Sequence, residues 1–154
     1  MQSSNLRQIL ENSANEVLEA MFFTGVSGEA AETVPGPHLS AELAFRGTPS
    51  GCFGIEVPLE TGRTIASNFL GADGDELSKS QISEVVGELT NMICGTVLSH
   101  LNANGQFELL SPEVQLNPRD RYHAGDTFHS TFALEDGTLT LWISSTPSEE
   151  TERK

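Results

Sequence analysis

Two runs near the C-terminus, TFHSTFAL (127–134) and GTLTLWIS (137–144), alternate apolar and polar residues, and Glu135-Asp136-Gly137 joins them. Successive side chains of an extended strand point to opposite faces, so alternation gathers the apolar set of each run on one side. Asp-Gly between two alternating runs accepts the positive backbone angles of a tight turn and marks an antiparallel hairpin. A sheet with one apolar face has to bury that face against another layer. The rest of the chain is therefore required to supply a cover.

Helical periodicity supplies it. Leu6, Ile9, Leu10, Val17 and Met21 recur at helical spacing and predict a first helix over residues 4–23. TGVSGEAAETVPGP (24–37) reads as a loop, small, polar and broken by Gly and Pro. Leu39, Ala41, Leu43 and Phe45 then alternate as a strand, and CFGIEVPL (52–59) reads as its antiparallel partner across GTPSG. TGRTIASNFLG (61–71) fits a short helix stopped at Gly71. The long helix runs from about Ser78 to Leu101, with Ser78 and Gln81 placed to form a capping box. QFELL (106–110) reads as a strand, which EVQL (113–116) extends or flanks beyond Pro112.

The order is helix, two strands, two helices, then three or more strands. It predicts an α+β fold of two layers: a mostly antiparallel sheet with a long helix and further helices packed on one face. No internal repeat is visible. The expected organisation is one domain over 1–146 and a disordered tail over 147–154.

Charge narrows the partners. The 22 acidic residues against 8 Lys and Arg give a net charge of −14 among 154 residues. Phosphate backbones and anionic membranes are bound by Lys and Arg, so nucleic acid and membrane are not expected partners, whereas a protein with a basic rim is. No apolar run reaches the roughly 20 residues that span a bilayer. The opening MQSSNLRQILENSANEV lacks the layout of a signal peptide, so a cytoplasmic location is expected. Cys52 and Cys94 fit no zinc or redox spacing and read as reduced, buried thiols. The acidic stretch ADGDE (72–76) is not a calcium loop, because Leu77 stands where an oxygen ligand is needed. His123, Asp126 and His129 span a loop and a strand start without an evident fourth ligand. His100 falls on the apolar side of the long helix and is expected as a hydrogen-bonded core histidine. Arg119 and Arg121 hold two of the few positive charges, in what reads as a solvated loop.

Chemistry concentrates on SEVVGELTNMICG (83–95). At about 100° per residue, Val85, Val86, Leu89, Ile93 and Val97 form a broad apolar face, while Glu84, Glu88, Asn91 and Gly95 stack in one row opposite. That row does not serve helix stability. Like charges at i, i+4 repel by a few tenths of a kcal/mol, and glycine in a helix interior costs roughly 1 kcal/mol relative to alanine. Gly95 also bares backbone to close approach by another surface. Taken alone, the same row fits the solvated side of any helix in an acidic chain.

The fragment Glu88-Leu89-Thr90-Asn91-Met92-Ile93-Cys94-Gly95 resembles the ExxN helix of the CheC/CheX/FliY chemotaxis phosphatases, above all the CheX-like domains. That pattern is an Asp or Ser, three residues, Glu, two residues, Asn, and a Pro some twenty-two residues on. Glu88 and Asn91 match it. Glu84 stands at the first position, and Pro112 follows after twenty intervening residues. The resemblance spans about residues 5–145, including the first helix ending in Met-Phe-Phe and the short helix ending in Leu70-Gly71. It implies a phosphatase acting on the aspartyl phosphate of a CheY-like receiver domain, with Glu88 and Asn91 catalytic and Glu84, Gly95 and Pro112 at the partner interface. It also implies a homodimer, and no cofactor of the chain's own, Mg²⁺ coming with the receiver. The alternative is a non-catalytic module of the same fold that recognises a receiver or another signalling protein; an assembly protein is a third reading.

Overall fold

The computed structural model describes residues 3–30, 35–48, 50–102, 105–116, 127–135 and 137–146. The alternating segments become strands and the periodic segments become helices. In chain order they are α1 (Ser3–Met21), β1 (Val26–Glu29), β2 (His38–Arg46), β3 (Ser50–Pro58), α2 (Leu59–Leu70), α3 (Lys79–Leu101), β4 (Glu108–Leu109), β5 (Glu113–Leu116), β6 (Thr127–Leu134) and β7 (Gly137–Thr146). A single 3₁₀ turn, Gly74–Glu76, precedes α3. It is the acidic stretch, and the Asp73 side chain caps it by accepting the Asp75 N–H at 3.1 Å.

All the pairings are antiparallel, and the order across the sheet is β1-β6-β7-β3-β2-β4, with β5 also on the β2 edge. The hairpin around Asp136 forms as expected, pairing Leu134 with Gly137 and His129 with Trp142. Leu39, Ala41, Leu43 and Phe45 of β2, with Phe53, Ile55 and Val57 of β3, are all buried in the core beneath the helices. The result is the expected α+β architecture of three helices on an open seven-stranded antiparallel sheet.

Two local readings change. The 24–37 segment is not wholly loop, because β1 pairs with β6 at the sheet edge. Its side chains alternate half-exposed and exposed, so it carries no apolar signal; backbone hydrogen bonds place it, and Asn15 of α1 accepts the Val26 N–H at 2.8 Å. The 106–110 strand shrinks to two residues, and EVQL continues along the same edge of β2 as β5. Leu109 pairs with Phe45 and Glu113 with Glu42, so three residues oppose two and the chain bulges by one around Pro112. Pro112 has no N–H for the ladder. The extra residue also corrects parity, because Leu109 and Val114 would otherwise point to opposite faces. With it, both pack against the core.

The caps are those the sequence calls for. Ser78 accepts from the Gln81 N–H while the Gln81 side chain accepts the Ser78 N–H, closing the capping box. Gly71 ends α2 at φ +68, a left-handed angle at which a Cβ would be strained. Phe22, past the end of α1, stacks on Phe69 of α2 with centroids 4.8 Å apart.

On the sheet face away from the helices, Gly54 lies opposite Trp142, and a Cβ there would run into the indole ring. Trp142 is 1% exposed. Gly54→Ala is expected to lower stability by about 1–3 kcal/mol through overpacking, read as a reduced midpoint in urea denaturation.

Candidate functional site

The site is built on α3. Val85, Val86, Leu89, Ile93 and Val97 are all buried, as are Ile82, Cys94 and Leu98. This face packs on β2, β3 and β5, and α1 and α2 pack beside it. Burying one such side chain is worth about 1.5–3 kcal/mol. A handful of them outweighs the acid pair and the mid-helix glycine by several fold, so the helix tolerates an outer row that does not stabilise it. Thr90, beside Asn91, is buried too, its hydroxyl donating to the Val86 carbonyl at 2.7 Å.

On that outer row Glu84 and Glu88 are exposed, and Asn91 and Gly95 are half-buried. Among the described residues, the side chains of Glu84, Glu88 and Asn91 make no hydrogen bond or salt bridge. The arginines among the described residues are engaged elsewhere: Arg63 with Glu60 and the Gly74 carbonyl, Arg46 with Glu108, and Arg7 with Glu29. The row forms a ridge between two hollows. One, of about 440 Å³, lies between α1 and α3 and is lined by Val17, Ala20, Met21, Asn91, Met92 and Gly95 among others. The second, of about 450 Å³, is lined by Ser80, Ser83, Glu84, Gly87, Glu88 and Pro112, with Val114 of β5 behind them.

The structure thus brings Glu84, Glu88 and Pro112 around one hollow and Asn91 and Gly95 around the other. Two contributors have no sequence signature. Gly87 is buried, and a Cβ on it would sit in ordinary contact with both Pro112 and Val114 at 3.5 Å, so the bulged segment lies directly over this turn of the helix. The α1 wall was visible only as an amphipathic helix, with nothing to say which helix it faces. At Gly95 the situation is reversed, since a Cβ would meet nothing within 4 Å.

Other candidates separate from the site. His100 is exposed rather than in the core, its Nε2 3.6 Å from a Glu16 carboxylate oxygen. Leu98 is buried and Leu101 packs partly against the core, so in the last turn the inward side has turned away from His100. Burial pushes the Cys94 thiol up to about 12 from its ordinary 9.0, leaving it protonated at neutral pH and no nucleophile. Cys52 is half-buried rather than fully enclosed, and its thiol is also raised, by burial and then by the Glu42 charge. His129 is exposed on β6; His123, Asp126, Arg119, Arg121 and the 147–154 tail lie outside the described residues. No cluster of three or more metal-ligating side chains occurs among the described residues, and no helix among them is long and apolar enough to cross a membrane.

A helix anchored on one face, offering an unpaired carboxylate and carboxamide three residues apart on the other, can receive a cation and orient a small polar molecule. The family profile described as chemotaxis phosphatase CheX matches residues 39–120, more than half of the sequence and all of α3 with Pro112, and the chain belongs to that family. Among solved structures, the chain is similar to the chemotaxis protein CheX from Vibrio vulnificus, with a TM-score of 0.76 and 18% identity over 95% of this chain and 99% of that one. It is also similar to a CheX–CheY–BeF3–Mg²⁺ complex from Borrelia burgdorferi, with a TM-score of 0.69 and 19% identity over 92% and 97% of the two chains. FliY from Thermotoga maritima follows at 0.63 and 16% identity over 92% and 87%. At such identities the likeness is one of fold. No curated protein matches significantly by sequence.

Because nothing among the described residues occupies the space over Gly95, Gly95→Ala is expected to raise stability by roughly 0.5–1 kcal/mol, the helix-propensity difference, read as a higher thermal midpoint.

Proposed function

We propose that this protein is a phosphatase of a CheY-like response regulator, hydrolysing the receiver's aspartyl phosphate with Glu88 and Asn91. The observation that carries the reading is that both side chains project, without a partner among the described residues, from a helix fixed by burial of its opposite face. Membership of a family described as chemotaxis phosphatases supports it, as does the fold shared with a relative captured together with CheY.

An acyl phosphate is a mixed anhydride and already activated, so its hydrolysis calls for a placed water more than for a protein nucleophile. The Asn91 carboxamide both donates and accepts, and can hold a water in line with the phosphorus. Glu88, one turn away, takes the receiver's lysine beside the phosphate and fixes the docking register. Mg²⁺, held by the receiver, neutralises phosphate charge. Such a scheme depends on positioning, and a helix packed into the core provides the rigidity that positioning needs. Glu84, Gly95 and Pro112 contribute to the surface that meets the receiver. A homodimer belongs to the same reading: β1 and the β4–β5 line leave sheet edges for a second copy to pair or cover.

Asn91→Ala is expected to slow receiver dephosphorylation by roughly a hundredfold while leaving the unfolding transition in place. Glu88→Ala is expected to act mainly through a higher KM. Loss of phosphate from a receiver labelled by a small phosphodonor, at equal rates with wild type and Asn91→Ala, removes the catalytic assignment. Chelation by EDTA is expected to stop turnover without shifting this protein's own thermal midpoint; a shifted midpoint contradicts the assignment of the metal to the partner.

A further inference from the structure

α1 and α3 run antiparallel: Glu16 lies beside His100, while Met21 shares a hollow with Asn91 and Met92. The C-terminal end of α1 therefore lies at the Asn91 end of the motif row. That end displays large apolar side chains. Met21 is 45% exposed and Phe23 is 75% exposed. Phe23 also adopts φ +57, the only non-glycine residue with a positive φ among those described. It stands at the left-handed position closing a helix, where glycine is usual, and the Thr24 N–H reaches back across it to the Leu18 carbonyl at 3.3 Å. Its neighbour Phe22 is wholly buried and stacked on Phe69. The chain is thereby pinned on both sides of a residue whose ring is held in solvent, at a backbone angle that favours no ring.

An exposed, strained aromatic beside a candidate site points to a contact made outside the chain. We infer that Met21 and Phe23 form the apolar anchor of the docking surface for the phosphorylated receiver, setting its affinity while Asn91 sets turnover. This rests on the phosphatase reading above. Geometry commits the occupant: Asn91 and Met21 are opposite walls of one hollow, so a protein that brings a phosphate to the carboxamide lies over the end of α1 as well. Charge agrees with it. Glu16 on one wall and Glu84 and Glu88 along the ridge frame the apolar points with acid, which fits a partner carrying a cation beside its phosphorylation site. Large apolar anchors inside a polar frame are the usual carriers of binding energy at such interfaces.

Phe23→Gly separates docking from folding, because glycine removes the ring and relieves the backbone together. Its thermal midpoint is expected to equal or exceed that of wild type. With a receiver domain loaded with beryllofluoride and Mg²⁺, the Phe23→Gly, Met21→Ser double variant is expected to bind at least tenfold more weakly than wild type. In turnover of the phosphorylated receiver, the loss is expected in KM rather than kcat, the reverse of Asn91→Ala. An unchanged Kd overturns the anchor while leaving the phosphatase reading intact. Wild-type binding without turnover, lost in the double variant, sinks the phosphatase reading and upholds the anchor. A variant that turns a dimer into a monomer with unchanged receiver affinity marks a self-association face and overturns the anchor. Failure of the wild type to bind any receiver overturns both.

Discussion

Burial of one face of α3 against the sheet is the interaction on which the rest depends. It sets the rotation of the helix about its axis, and with it the direction in which Glu84, Glu88, Asn91 and Gly95 point. Several kcal/mol of apolar burial support a row that contributes nothing to stability. Separating the two tasks by side of the helix lets core packing hold chemistry steady without sharing residues with it. The same division accounts for Cys94, which stands three residues beyond Asn91 yet belongs to the buried side and stays protonated.

A second constraint comes from the β2 edge. The one-residue bulge around Pro112 keeps Leu109 and Val114 facing the core and sets the proline against the bare backbone of Gly87. Glu84 and Glu88 rise beside this contact. Motif residues far apart in sequence are thus joined by a packing contact, which gives the proline of the pattern a physical role: it bounds the hollow in front of the carboxylates.

The sheet, the helices and the capped start of α3 were legible because each rests on a local rule. Alternation, 3.6-residue spacing, Asp-Gly and Ser-x-x-Gln report through neighbouring residues. β1 escaped because an edge strand needs only backbone pairing and carries no apolar rhythm. His100 was misplaced because angular position does not say which neighbours the last turn of a helix meets: Leu98 and Leu101 turn inward there and His100 does not. The ridge itself could be read from spacing, whereas its two hollows could not. They depend on the side chains of α1 and β5, and on where Pro112 lies over Gly87.

The order of strands has a further consequence. Val26 of β1 pairs with Leu134 of β6, more than a hundred residues along the chain, and α1 packs against both strands as well as α3. Closing so long a loop is slow, because its entropy is spent before the pairing repays it. The wall opposite Asn91 therefore draws on distant parts of the sequence: α1 packs chiefly on α3, and its other contacts are with the β1–β6 edge. A change in the last hairpin is thus felt at the first helix, and through it at the cleft beside the ridge.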